Sequence, residues 1–217
     1  MPRLFAENGR LLDSQGRITL DTPEALRALE NYRETYSYSD RTIYDFWKNA
    51  LEGFADGTAA MTVVFINYAS HILNSQMSRI AGKLGFAPVP GGKPLLGGGV
   101  IGIAQSCTCP AAACKFLEWL YADLVAPVFT MLGGLSPCRS AYSNRDISEQ
   151  YPWLSTARKS FPTAQRRSNS TYYQNFSELQ LETILAAHVQ QAVLGVCSPE
   201  EALKQAQEDC NRYFQPW

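Results

Sequence analysis

The apolar positions of the chain recur mostly at helical spacing. Over residues 22–36, "TPEALRALENYRETY" sets Leu26, Leu29, Tyr32 and Tyr36 on one face, the repeat of an amphipathic helix. Thr22 and Pro23 supply its N-cap and first helical position. Before it, Asn8-Gly9 reads as a turn between short extended pieces around Leu11 and Ile18–Leu20. A second helix is predicted through "TIYDFWKNALEGFADG", stopping at Asp56-Gly57. "AAMTVVF" (59–65) is then an apolar, β-branched run of strand length. A helix through "NYASHILNSQMSRIAGKL" turns Ile72, Met77 and Ile80 inward, and "LGFAPVP" is a short strand ended by prolines.

A third strand is expected at Val100–Ala104, followed by two helices between 110 and 132, a turn at "GGLSPCRSAY" and a helix near "SEQYPWLSTARK". Two long helices close the chain. The first turns Phe176, Leu179, Ile184, Leu185, Val189 and Val193 inward. The second opens on a capping box, Ser198-Pro199-Glu200-Glu201, and buries Leu203, Ala206, Cys210 and Tyr213. Strands separated by helices predict a helix-rich α/β fold, with sheets covered by helices.

Composition narrows the picture by exclusion. The 217 residues suit one large or two small domains. A net charge of −1, with both signs interspersed, argues against a nucleic-acid groove or an anionic membrane partner. No apolar run is long enough to span a bilayer. The opening "MPRLFAENGRLLD" lacks the apolar core of a signal peptide.

The six cysteines (107, 109, 114, 138, 197 and 210) do not match a zinc spacing, and no nearby histidine completes a site. Buried free thiols are expected, with disulfides left open. Gly97, Gly99 and Gly102 have the G-x-G-x-x-G spacing of a dinucleotide loop. That motif needs a strand before the glycines and a helix opening on them. Here the strand lies within and after them, and no Asp or Glu occurs between Lys93 and Leu117. The nucleotide reading is therefore rejected. The glycines read as a place where the backbone bends or lets something approach closely.

The order of segments carries a resemblance. "FADGTAAM", "KLGFAPVPGG", "GGGVIGI", "PAAACKFLEWL", "GGLSPCR" and "AVLGVCSPEEALKQAQ" follow one another as in the second half of the extracellular solute-binding proteins of ABC transporters. The likeness is to the large sugar-binding family that includes maltose-binding protein. It implies a periplasmic-binding-protein-like class II fold, two α/β lobes with ligand in a cleft that closes by hinge motion. The family's first half has no counterpart, so the resemblance implies an incomplete two-lobe fold, a C-terminal fragment. Residues 1–98 would be part of the C-terminal lobe, 99–136 a crossing segment belonging to the N-terminal lobe, and 137–217 the return with the closing helices. The implied partners are a sugar, an ABC permease in the membrane and the missing N-terminal half. The implied location is extracellular or periplasmic, anchored through that absent N-terminus. No cofactor and no metal are expected.

A sugar site needs aromatic rings for C–H faces and planar polar groups for hydroxyls. In the family, the stretch after the Gly-x-Ala-Met pattern often offers a ring. Asn67 falls at that point, with Phe65 and Tyr68 as the nearby rings; capping of the next helix by Asn67 is an equal alternative. Gly98 and Gly99 could offer backbone N–H groups, or simply form a bend. Arg139 could fork to hydroxyls or make a surface salt bridge. "RRSNSTYYQNF" offers Arg167 as a polar contact and Tyr172 and Tyr173 for stacking, one of the tyrosines being expected in the core. A tyrosine pair can also hold ferric iron, but carboxylate and histidine partners are not evident. His188 is expected in the core and His71 on an outer face. Trp47, Trp119 and Trp153 are expected to pack inside. The competing classes are a thiol enzyme, with Cys109 at a helix N-terminus and His71 or His188 as base, and a truncated lobe that binds nothing alone.

Overall fold

A computed structural model describes residues 1–39, 47–166 and 168–217. The helices begin with α1 (Pro2–Ala6), α2 (Pro23–Tyr36), α3 (Trp47–Ala55) and α4 (Ala69–Leu73). Strand β1 is only Leu95–Leu96. There follow α5 (Pro110–Leu120), α6 (Val125–Met131), α7 (Ser140–Ser143), α8 (Arg145–Gln150) and α9 (Pro152–Ser160). Strand β2 is Gln165–Arg166, and α10 (Glu178–Val193) and α11 (Pro199–Tyr213) come last. Single 3-10 turns lie at Ile66–Tyr68, Pro90–Gly92 and Phe161–Thr163.

The chain divides into two compact units. The first contains Met1–Thr42, Val89–Leu96 and Thr163–Trp217, and the second Ile43–Pro88 and Gly97–Pro162.

In the first unit, α1, α2, α10 and α11 enclose a core of Leu4, Leu11, Leu20, Leu29, Leu181, Ala206 and Phe214. Thr22 accepts a hydrogen bond from the Ala25 N–H at 3.2 Å and Pro23 occupies the first turn, as the sequence predicts. The buried stripe of α2 is Ala25, Ala28 and Leu29. Tyr32 stays half-exposed under the Arg3 guanidinium, 5.1 Å from the ring centroid. Ser198 caps α11 through the Glu201 N–H at 3.1 Å, but the Glu201 carboxylate accepts from Gln205, so only half of the capping box forms. Tyr213 is exposed, while Leu203, Ala206 and Cys210 are buried as expected.

The extended piece at Ile18–Leu20 pairs with backbone only through a single antiparallel bridge, Leu12 to Ile18, and side chains complete its hydrogen bonding. The Tyr173 hydroxyl accepts from the Ile18 N–H at 2.9 Å. The Gln207 side chain accepts from the Leu20 N–H at 2.7 Å and donates to the Ile18 carbonyl at 3.2 Å. Buried backbone groups need such partners. Gly91 has φ +78°, and a Cβ there would meet the Ala6 Cβ at 2.3 Å, so only glycine lets the 90–92 turn lie against α1.

In the second unit, Ala69, Ala126, Ala141, Tyr142, Trp153, Leu154 and Ala157 form the core. The Tyr142 ring meets Phe161 edge-on at 5.1 Å, and its hydroxyl donates to the Ser136 carbonyl at 2.8 Å. The helix predicted from 67 to 84 ends at Leu73. The Asn74 side chain accepts from the Gln76 N–H at 2.9 Å, the local bonding by which asparagine competes with a helix. The helix expected near 148–159 is two, because Pro152 opens α9 and displaces Tyr151 from helical backbone.

The predicted strands at 59–65, 84–90 and 100–104 form no ladder. Among the described residues the only sheet is the parallel pair Leu95–Leu96 with Gln165–Arg166. Apolar, β-branched runs specify side chains that suit a sheet. They do not supply the neighbouring strand whose N–H and C=O groups make the ladder.

Candidate functional site

Phe65 and the glycines at 97–99 belong to the second unit. The Phe65 ring, 48% exposed, lies so close to Gly97 that a Cβ there would sit 3.0 Å from the ring Cε1. Around Gly98 and Gly99 a Cβ would meet only open space. The close approach that the glycines suggested is thus an aromatic ring on Gly97, while Gly98 and Gly99, the two named as ligand contacts, stand open.

Asn67 is exposed within the 66–68 turn. Tyr68 occupies the N-cap position of α4 without a side-chain cap bond, so the capping alternative for Asn67 is not realised. The Asn67 carbonyl accepts from the Ser70 hydroxyl at 3.3 Å. Beneath that turn Gly133, at φ +95°, lies where a Cβ would meet Ser70 Oγ at 2.2 Å. Tyr68 is half-buried. Arg139 is exposed at the start of α7 and makes no ion pair among the described residues. Its carbonyl accepts from the Ser143 hydroxyl at 2.9 Å.

The tyrosine pair lies in the first unit, and the structure separates the roles of its members. Tyr173 is a core residue, 8% exposed, with its hydroxyl bound to Ile18 and its ring against Phe176 and Phe214. This fold leaves Tyr173 no ring face for a ligand, which corrects its place among the stacking candidates. Tyr172 is at the surface, edge-on to Tyr173 at 4.9 Å. Its backbone is held at both ends: its N–H donates to Ser170 Oγ at 3.1 Å, and its carbonyl accepts from the Trp217 N–H at 3.2 Å. Ser170 in turn donates to the Gly16 carbonyl, fixing the loop. Arg167 lies outside the described residues.

The thiols are all free, but the expectation of burial holds only for Cys210. Cys109 and Cys114 are exposed, and Cys107, Cys138 and Cys197 are intermediate. Helix α5 carries no buried residue, so a cysteine on it has no interior to enter. Burial, aided by the neighbouring Asp209 charge, pushes the Cys210 thiol from 9.0 up to about 12. The ionised form is thereby disfavoured in the fold, so this contribution to stability is present below pH 9.0 and declines as the pH rises towards 12. Iodoacetamide at pH 8 is expected to label Cys109 and Cys114 in the folded protein and Cys210 only after denaturation. Mass mapping of the alkylated peptides checks this, and rapid labelling of Cys210 would contradict its burial.

His188 bridges α10 and α11: its Nε2 lies 2.8 Å from Asp209 Oδ2, while Nδ1 is buried with no hydrogen-bond partner among the described residues. The nitrogen left for proton transfer, Nδ1, is shut away from solvent, so a thiol base at His188 would have to act from inside the packing of α10 and α11. Trp153 is buried as expected, whereas Trp119 is 56% exposed, contrary to the packing role read for it. Among the described residues no cluster of His, Cys, Asp or Glu could hold a metal ion. No helix among them is long and apolar enough to cross a membrane.

Known proteins share this fold. The family model of bacterial extracellular solute-binding proteins matches residues 4–156. The chain belongs to that family. Its fold is that of periplasmic sugar-binding proteins. The maltose-bound MalE3 of T. maritima superposes with a TM-score of 0.77 at 23% identity, over 95% of this chain and 55% of that one. An ABC transporter solute-binding protein of Thermotoga lettingae, solved with alpha-D-tagatose, gives 0.71 at 26% identity over 96% of this chain and 54% of its own. One from Agrobacterium radiobacter, solved with ribitol, gives 0.69 at 22% over 98% and 56%. The chain thus spans little more than half the length of these structures.

Proposed function

We propose that this chain contributes to a carbohydrate- or polyol-binding component of an ABC import system, acting outside the cytoplasmic membrane and handing its ligand to a permease. The observation that supports this reading best is the likeness to the tagatose-bound protein, at 26% identity along 96% of the chain. Residues 1–98 and 137–217 would then belong to the C-terminal lobe and 99–136 would cross to the N-terminal one. Phe65, Asn67, Tyr68, Gly98, Gly99, Arg139, Arg167 and Tyr172 are the proposed ligand contacts. Their chemistry suits a sugar: ring faces meet C–H surfaces, and amide, guanidinium and backbone N–H groups meet hydroxyls. Capture and release of such a ligand need no nucleophile and no proton transfer.

Titration calorimetry with maltose, tagatose and ribitol tests the reading. Saturable heat with at least one of them is expected, with a dissociation constant below about 1 mM, equivalent to roughly 4 kcal/mol of binding free energy. Tyr172→Ala is expected to weaken that ligand about tenfold, roughly 1.4 kcal/mol, without changing the unfolding midpoint. No saturable heat with any of the three would overturn the reading.

A further inference from the structure

Two rings on the surface of the first unit, Tyr172 and Trp217, are brought together by a short antiparallel pairing. Tyr173 bridges Pro216 in that sense. On either side of the bridge, the Gln174 N–H donates to the Gln215 carbonyl at 3.0 Å and the Trp217 N–H to the Tyr172 carbonyl at 3.2 Å. Tyr172 therefore stands opposite Trp217, and Gln174 opposite Gln215. Side chains alternate along paired strands. With Tyr173 turned into the core, Tyr172, Gln174, Gln215 and Trp217 share the outer face, and all four are exposed. Directly opposite residues carry their Cβ atoms about 5 Å apart.

This small ribbon is fixed by more than its backbone. Asn175 accepts from the Gln215 N–H at 3.0 Å and donates to the Tyr213 carbonyl at 2.8 Å, which ties the stretch after α11 to the loop before α10. Gln174 Nε2 donates to the Pro216 carbonyl at 3.1 Å. On the other side of Tyr172, a Cβ at Gly16 would lie 3.6 Å from the Tyr172 Cβ, so the stem of that ring rests on the 13–17 turn. The outward groups are left open. Trp217 is 83% exposed and makes no ring contact among the described residues. The Gln215 side-chain amide has no partner among them either.

We propose that Tyr172 and Trp217 form a two-ring platform for the C–H face of a pyranose, with the Gln174 and Gln215 amides meeting its hydroxyls, and that this platform favours cyclic sugars over open-chain polyols. The ligand class rests on the reading under Proposed function; Trp217, Gln174 and Gln215 are added to its contacts. None of the four side chains is charged, which suits a neutral ligand. Aromatic faces match C–H surfaces, and an amide both donates to and accepts from hydroxyls. A pyranose brings its face ready-made. An open-chain polyol must freeze several bonds to present one, and ordering of that kind weakens binding. Held at both ends, the ribbon itself has little freedom left to lose.

Calorimetry with maltose and ribitol tests the platform. Maltose is expected to bind more tightly than ribitol, and equal affinity would overturn the preference. Trp217→Ala is expected to weaken maltose about tenfold while leaving ribitol within about twofold, and Trp217→Phe to keep maltose within about threefold. Unchanged maltose affinity in Trp217→Ala overturns the proposal. So does an equal loss for both ligands, the result that a merely structural role of the ring would give. The unfolding midpoint of Trp217→Ala is expected to stay in place, and a marked fall would show the indole to be packed rather than offered. Saturation-transfer NMR with methyl β-glucoside supplies a readout apart from tight binding: transfer from aromatic protons to the sugar is expected, and its loss in Trp217→Ala. That contact without saturable heat would retain the platform and overturn the functional reading. Saturable maltose heat that Trp217→Ala leaves untouched would do the reverse, and neither signal would overturn both.

Discussion

Phe214→Ala is expected to cost the first unit about 3–5 kcal/mol, the range for removing a buried aromatic ring. The side chain is 1% exposed. Its ring centroid lies 5.7 Å from those of Tyr173 and Phe176 and 5.0 Å from Tyr213. It sits where α11 ends, packed in the core that α2 and α10 share. Removing it leaves a void that these rings cannot fill without disturbing the Tyr173 hydroxyl, the acceptor for the Ile18 N–H. Because whole domains are stable by only about 5–15 kcal/mol, the loss is large. Urea unfolding with residue-resolved hydrogen exchange checks it: protection should fall in α2, α10 and α11. A cost below about 1 kcal/mol would mean that the ring is not packed as described.

Trp153→Ala is expected to have an effect of similar size in the second unit, again about 3–5 kcal/mol. Trp153 is 1% exposed at the start of α9, in one core with Leu154, Ala126 and Tyr142. That core contains four alanines. Small neighbours contribute little apolar area of their own, so one indole carries an unusual share of the burial. Exchange should quicken in α6, α7 and α9 while α10 and α11 keep their protection. Equal losses in both sets would show that the two cores unfold as one.

The sequence made local features legible and left long-range ones dark. The caps at Thr22 and Ser198 were readable because the acceptor and the N–H it meets are three residues apart. The family order was readable for a similar reason, since segments follow one another whatever they touch. The strands were not, because a ladder depends on a neighbour that a one-dimensional pattern does not contain. Tyr172 and Tyr173 are the same residue side by side. Tyr173 is tied inward by a hydroxyl that accepts from the Ile18 N–H, 155 positions away. Trp119 and Trp153 differ likewise: both lie on helices, yet only one helix has a core beneath it. At the candidate site, the pattern of glycines was visible, but nothing in it distinguished Gly97, covered by Phe65, from Gly98 and Gly99 in the open.

The bonds from Ile18 and Leu20 to Tyr173 and Gln207 join positions separated by 155 to 189 residues. On the ribosome, the opening helices therefore emerge long before the side chains that complete their core. At about 5–20 residues per second, that interval is on the order of 10 s. Meanwhile 43–88 and 97–162 are already available to assemble as their own unit. Synthesis order thus leaves the Leu11, Ile18 and Leu20 part of the first core incomplete until Tyr173 and Gln207 have emerged.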